Sequence, residues 1–442
     1  MNKKNPFIAL GTIVTTMLCL TLFTGCNNKF SPFEMEKEGD MEFIVEVAAS
    51  DLLYQLSGQK TDTTFLAVLT QTEHAYAESR ANFIDVFAHH WKEATGQPLA
   101  TIFATQQMRE SVTPQSTDAQ VVEALKTALD EAYATTDAVL RVRLDNTDME
   151  RCNIEPLPDR HAFLIRVRGV KDEVAFRRMI AAQGKLEFWD TYNLDELRPY
   201  LVQVDAACAQ TMAMESQALL ELEAASNTGD ALDAAIAEME RERQAAEQQQ
   251  YAEHPLLARL HILSTGSSLA LVGYAAPADM TTVEKIFHSE EARRILPPDL
   301  KLMWSSAPTT MGDDQEYYDL YAIKTSGSNG EAPLDGSCIV DADASDGEFG
   351  PVVNLKMNTE GGRTWASLTR FNIGRAIAMT LDGRVLSAPR VASEITGGMS
   401  QISGNFTMEE CEDMANIFTA GQLPAALRII SEEHYQALLS NR

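Results

Sequence analysis

The chain has 442 residues, 64 of them acidic and 36 basic, for a formal net charge of −28. A surface that acidic repels phosphate backbones and anionic headgroups, which excludes nucleic acid as a partner class. The length allows about two or three domains, each with its own core.

Met1 to Lys4 carries two lysines and no acid, and an apolar run from Phe7 to Phe23 then ends in Thr24-Gly25-Cys26. That is the layout of an export signal. A small residue before a cysteine at the end of such a run is a lipoprotein cleavage pattern, so 1–26 is the predicted anchor and Cys26 the lipidation position. The competing reading is an uncleaved span, because the run is only slightly shorter than the ~20 residues that cross a bilayer. Either way the rest of the chain is expected outside the cytoplasm, held beside a membrane, and no later stretch is apolar for long enough to cross. Cys152, Cys208, Cys338 and Cys411 are far apart and form no C-x-x-C pair, which excludes a zinc knuckle or thioredoxin-type motif. One disulfide and four buried thiols both remain open.

Met41 to Val47 alternates with Phe43, Val45 and Val47 on one face, which predicts a strand. A helical insertion follows from about Asp51. Thr117-Asp118-Ala119-Gln120 is a capping-box start, and Val121, Leu125, Leu129, Tyr133, Val139 and Leu140 continue at helical spacing. Asn153 to Leu157 and Ala162 to Val167 read as strands joined across Pro158-Asp159. A helix burying Phe176, Met179 and Ile180 then leads to a strand over Lys185 to Trp189. This β-α-β-β-α-β order is the ferredoxin-like motif. From Asp205 to Gln250 the composition shifts to Ala, Glu and Gln, with one apolar stripe of Leu232, Ile236 and Met239, so a solvated spacer helix is expected. Strands follow at Leu269 to Tyr274, Leu300 to Trp304 and Tyr317 to Lys324, with a helix capped by Thr281 to Glu284 between the first two. The C-terminal portion repeats a β-α-β-β-α pattern. Val353, Leu355 and Met357 alternate, a helix from Thr359 to Arg370 buries Trp365 and Leu368, and Ala376 to Leu381 and Arg384 to Ala388 flank Asp382-Gly383, a type I′ turn pair. The last helix is capped by Thr407 and Glu410, buries Met414, Ile417 and Phe418, and ends at Gly421 ahead of Pro424.

Catalytic and metal chemistry find little support. His89-His90 are adjacent, so they point apart on a helix, and no H-E-x-x-H pattern accompanies them. Glu409-Glu410 and Glu432-Glu433 read as capping and surface charge. Gly397-Gly398 and Gly404-Asn405 lack the lysine of a phosphate-binding loop, and no Gly-x-Ser-x-Gly elbow occurs. No enzyme activity, cofactor or metal is expected.

One stretch is specific: Asn372-Ile373-Gly374-Arg375, Ala378-Met379-Thr380-Leu381-Asp382-Gly383, Ser387-Ala388-Pro389, Glu394-Ile395-Thr396-Gly397-Gly398 and Ile402-Ser403-Gly404-Asn405-Phe406-Thr407. It continues through Glu410, Asp413, Ala415-Asn416, Gly421 and Leu423-Pro424-Ala425. Earlier points are Leu56-Ser57-Gly58, Arg141-x-Arg143-Leu144-Asp145, Asn153-Ile154, Gly169-Val170-Lys171-Asp172 and Leu186-Glu187-Phe188-Trp189. Together they resemble the first periplasmic (P1) region of SecD, in the form fused as SecDF in Bacteroidetes-type bacteria. The segment Glu36 to Asp40, Thr147-Asp148 and Arg168-Gly169 depart from the family's glycine pattern, which implies altered turns.

The resemblance implies an α+β protein. Residues 30–200 form a ferredoxin-like base with a helical insertion at 51–115, and 205–254 form the helical spacer. Residues 256–330 are a connecting α/β segment, 331–424 a head subdomain and 425–442 a C-terminal return. It implies a protein-translocation accessory that binds unfolded exported polypeptide, the Sec translocon or a full-length SecDF. The family uses the proton gradient through a helical membrane bundle, and the sequence stops at Arg442 where that bundle would begin, so a module without its own motor is expected. The candidate polypeptide-binding rim is Pro389, Ile395, Gly397, Gly398, Ile402 and Phe406. The same segment also reads as a structural hairpin and helix lead-in. The alternative function is a divergent envelope lipoprotein that uses the fold as a scaffold.

Overall fold

The computed structural model describes residues 40–435, except 61, 80, 148, 224–249, 264–269, 312–314 and 326–329. Cys26 and the rest of the expected anchor therefore lie outside the described residues, as does the Leu232, Ile236, Met239 stripe. Among the described residues no helix is long and apolar enough to cross a membrane.

The alternation predicted for the first strand is present in β1 (Asp40–Val47), where Met41, Phe43, Val45 and Val47 are buried. The insertion follows as α1 (Ala49–Leu56), α2 (Thr63–Ser79), α3 (Phe83–Thr95) and the short α4 (Ala100–Phe103). Phe65, Phe87, Trp91 and Phe103 pack edge to face or stacked at its centre. The long α5 (Asp118–Asp145) starts with the expected capping box of Thr117 and Gln120. It lays Val121, Leu125, Leu129, Val139 and Leu140 into the core. β2 (Arg151–Leu157) and β3 (Ala162–Arg168) form an antiparallel hairpin, and β3 also pairs with β1. On α6 (Glu173–Ala181), Phe176 packs against Phe43 with ring centroids 5.7 Å apart.

The next strand corrects the expected motif. β4 (Leu186–Thr191) does not join this sheet; the place beside β1 is taken by β16 (Leu427–Tyr435), giving the order β16-β1-β3-β2. Leu186, Glu187, Phe188 and Trp189 are all buried in succession. A strand buried on both faces needs cover on both. The four-stranded sheet cannot offer it, because its outer face carries the ion pairs Glu42–Arg166 and Glu46–Arg428. β4 lies instead inside a larger sheet.

That sheet gathers strands from Leu186 to Ser387. α7 (Leu194–Glu223) buries Leu194, Leu197, Leu201 and Val204 against Leu256, Leu260 and Val272, so its first half is a core element. After β5 (His261–Ile262) and β6 (Leu271–Ala275) come α8 (Pro277–Phe287), α9 (Glu290–Ile295), β7 (Leu300–Trp304), β8 (Thr309–Met311) and β9 (Gln315–Lys324). α8 starts four residues before the expected cap, because Pro277 already has the helical φ at its first position. Glu284, thus inside the helix, accepts the Trp304 indole N–H at 2.8 Å. The flanks of 224–249 meet: Asp205 on α7 accepts the Leu256 and Leu257 amides at 2.9 and 3.1 Å and pairs with His254 at 2.8 Å.

After β10 (Leu334–Asp335), the third sheet comprises β11 (Ile339–Gly347), β12 (Gly350–Met357) and β15 (Met399–Ser403) in the order β11-β12-β15. α10 (Thr359–Phe371) and α11 (Met408–Ala420) pack with it, the latter entered through the Thr407–Glu410 capping box. The pair β13 (Ile377–Leu381) and β14 (Arg384–Ser387) turns through Asp382 (φ 50°) and Gly383 (φ 77°), as expected of a type I′ turn. It joins β4 in the larger sheet, ordered β14-β13-β4-β9-β6-β5. The C-terminal β-α-β-β-α pattern is thereby divided between two sheets. All four cysteines after the anchor are free thiols, with Cys338 pushed up to about 11 by burial.

Candidate functional site

Segment 389–407 runs back along α10. At one end Gly374 N–H donates to Val391 O (2.8 Å); midway, Ile395 N–H donates to the Thr369 hydroxyl (3.0 Å). At the other end Gly398 lies against Gly362, its φ of 69° and close approach both suiting a residue without a side chain. The six rim residues divide accordingly. Pro389, Ile395 and Gly397 are exposed, whereas Gly398 and Ile402 are buried and Phe406 packs half-buried against the core. Ile402 is a core residue of β15 and offers no surface.

Exposed apolar side chains outside the six rim residues flank the three surface members. Phe371 at the end of α10 is 76% exposed, Ile373 just beyond it 53%, and Met399 at the start of β15 54%. Trp365 and Leu368 are buried at helical spacing, so the pattern places Phe371 on the same inner stripe. Its outward position follows from the helix ending at that residue, with the Arg370 guanidinium 5.2 Å from its ring centre. Phe371, Ile373, Ile395 and Met399 mark an apolar strip beside α10 whose far border, β15, is the end strand of its sheet. An end strand presents unpaired backbone groups.

The Arg141-x-Arg143 spacing has a structural counterpart that the motif did not disclose. Arg143 is fully buried, and its guanidinium donates to Met179 O (3.1 Å), Ala182 O (2.5 Å), Gln183 O (3.4 Å) and Gly421 O (3.3 Å). Ala182 caps the end of α6 and Gly421 the end of α11, so the charge sits where two helix dipoles end. Burial pulls its pKa down to about 10, with Asp382 acting against that shift, and the group stays charged at neutral pH. Asn416 on α11 donates to Arg143 O (2.8 Å) and accepts from Asn146 (3.2 Å). The base and the C-terminal unit are thus joined by a polar knot.

The histidine and acid pairs have local roles. His90 shares a hydrogen bond with Thr72 (3.2 Å), and His89 lies 3.5 Å from Glu93. Glu432 pairs with Arg177 and His434.

Residues 318–425 match the family model of the SecDF P1 head subdomain, a span that takes in the whole of the specific stretch from Asn372 to Ala425. The resemblance is to SecD. The protein translocase subunit SecD of Rhodothermus marinus is 28% identical over 403 residues, 90% of this chain and 61% of its own length. SecD of Sebaldella termitidis is 40% identical over 138 residues, 29% of this chain and 34% of its own. The chain spans less than two thirds of either SecD relative. A solved structure of SecDF, described as a membrane component that enhances protein export, aligns over 68% of this chain and 92% of its own. Its identity is 18% and its TM-score 0.34, too loose to transfer any residue.

Proposed function

We propose that this chain is a SecD-like accessory module of protein translocation that holds unfolded exported polypeptide on the outer side of the membrane, with the Sec channel or a full-length SecDF as its working partner. The observation that carries this reading is the strip of Phe371, Ile373, Ile395 and Met399, lying inside the region that matches the P1 head subdomain. An unfolded chain offers scattered apolar side chains and free backbone groups. The strip supplies apolar contact and the β15 edge supplies hydrogen-bonding groups in extended register. Pro389, Ile395 and Gly397 belong to this surface; Gly398 and Phe406 support it from beneath. Holding needs no bond-making chemistry, so the reading assigns no catalyst, and the energy for movement comes from another chain. Cys26 is proposed as the lipidated residue that keeps the module at the membrane; Cys26→Ser is expected to release it into the soluble envelope fraction.

A photo-reactive residue at Ile373 or Met399 tests the reading during active secretion. The expected result is crosslinks to exported chains or to channel subunits. Recovering neither, under conditions where SecDF itself is labelled, rejects it. Burying one large apolar side chain contributes about 1.5–3 kcal/mol. Phe371→Ser with Ile373→Ser is therefore expected to reduce crosslinking at Met399 at least tenfold.

A further inference from the structure

A separate pocket of about 370 Å³ opens on the opposite part of the base, between the sheet and the helical insertion. β1 contributes Glu46 and Val47, β16 contributes Arg428 and Ile430, α2 contributes Tyr76, the α2–α3 connection contributes Asn82, and the turn after β2 contributes Arg160 and His161. Its volume falls within the ~300–1,000 Å³ usual for small-molecule sites. Val47, Ala49, Phe83 and Leu129 form an apolar wall, each of them nearly inaccessible from outside.

The polar groups are incompletely satisfied. The Arg428 Nε is buried and has no hydrogen-bond partner, and Glu46 approaches its guanidinium only to 3.8 Å. Glu46 also accepts a hydrogen bond from the Tyr76 phenol, which burial and Glu46 push up to about 12, while Arg160 and Arg428 pull the other way. The phenol therefore stays protonated, its hydrogen committed to Glu46. Arg160 forms no ion pair among the described residues and faces the same phenol. His161 is already engaged by Asp130 at 2.8 Å, and Asp159 is exposed at the mouth. In a chain of net charge −28, two guanidiniums thus converge on one concavity with an apolar wall, and one of them has a buried donor left over. A buried donor without an acceptor is unfavourable, and a planar oxyanion matches the guanidinium fork.

We propose that this pocket binds an amphiphile bearing a single carboxylate or phosphate on an apolar tail. The anionic group sits between Arg428 and Arg160, with the Asn82 amide beside it, and the tail lies along Phe83 and Leu129. The site goes beyond the polypeptide-holding role and is independent of it, since none of its residues lies on the strip beside α10.

Isothermal titration of the full chain with laurate, dodecyl phosphate, dodecyl maltoside and acetate tests the proposal. The first two are expected to bind one to one, at least tenfold tighter than the uncharged dodecyl maltoside, with acetate showing no binding. Arg160→Gln, on an exposed turn where folding is not at issue, is expected to weaken laurate about tenfold and to leave dodecyl maltoside unchanged; Arg428→Met should do the same. Equal affinity for laurate and dodecyl maltoside, or laurate binding indifferent to Arg160→Gln, overturns the assignment. Co-sedimentation with phosphatidylglycerol vesicles identifies the source. Sedimentation lost in Arg160→Gln points to membrane lipid. Laurate binding without sedimentation, the result expected of so acidic a surface, points to a freely diffusing amphiphile.

Discussion

Arg143→Met removes the guanidinium while keeping most of the buried volume. Two of its four bonds, to Met179 O and Ala182 O, are the shorter ones, and those to Gln183 O and Gly421 O are longer and weaker. Leaving a buried carbonyl without a donor costs about 1–3 kcal/mol, so two stranded carbonyls give roughly 2–6 kcal/mol. Relief from burying a guanidinium that has no carboxylate partner acts in the opposite direction. The net expectation is a loss of about 2–4 kcal/mol. Arg143→Lys should recover less than half of it, because one ammonium cannot reach carbonyls on α6 and beyond α11 together. Urea unfolding followed by tryptophan fluorescence reads the change, as Trp189 and Trp365 sit in the units that the knot joins. A loss below ~1 kcal/mol, or lysine equal to arginine, refutes the idea that these carbonyls depend on the buried charge.

Gly383→Ala and Gly398→Ala share a positive φ, but only Gly398 has backbone within contact distance of a new Cβ, so the first should lose about 1 kcal/mol and the second clearly more in the same unfolding assay. Because Asp205 bonds both flanks, replacing 212–249 with a flexible linker should leave the thermal midpoint within about 2 °C, whereas Asp205→Ala should lower it by several degrees. Glu432 and Glu196 are held below the usual carboxylate range chiefly by hydrogen bonds from Arg177 and Arg375. A depressed folded-state pKa contributes stability above the unfolded value and loses it as pH falls through the folded one. The Glu432→Gln, Glu196→Gln double variant should therefore match the parent's decline less steeply below about pH 4.5, measured by thermal melts across pH.

What could be read from the sequence was what short-range chemistry decides. The Thr117–Gln120 and Thr407–Glu410 boxes, the Asp382-Gly383 turn and the Phe43, Val45, Val47 alternation each sit where the structure has them. Pairing across hundreds of residues leaves no such mark. β16 shows its inward pattern only at Leu427 and Ile429 before turning polar at Ser431-Glu432-Glu433, so it passes for a tail. β11 hides similarly, because beyond Ile339 its inward face is Ala342 and Ala344 among aspartates. The absence of clean alternation in Leu186-Glu187-Phe188-Trp189 was a legible sign of a strand covered on both faces. At the candidate site Pro389, Ile395 and Gly397 lie at the surface while Gly398 and Ile402 are buried, and the exposure of Phe371, Ile373 and Met399 is set by where a helix stops and a sheet ends.

The ladder between β1 and β16 also fixes how the molecule bears load. Asp40 stands opposite Tyr435 and Val47 opposite Leu427, so the first and last described residues share one end of the ladder while the C-terminal unit attaches at the other. Tension between Asp40 and the C-terminal unit at Leu427 would drag the two strands lengthwise past each other. Their cross-links lie at right angles to that pull and must yield together. Tension between Asp40 and Tyr435 would instead peel the same strands apart one rung at a time, so the ladder resists the first pull better than the second.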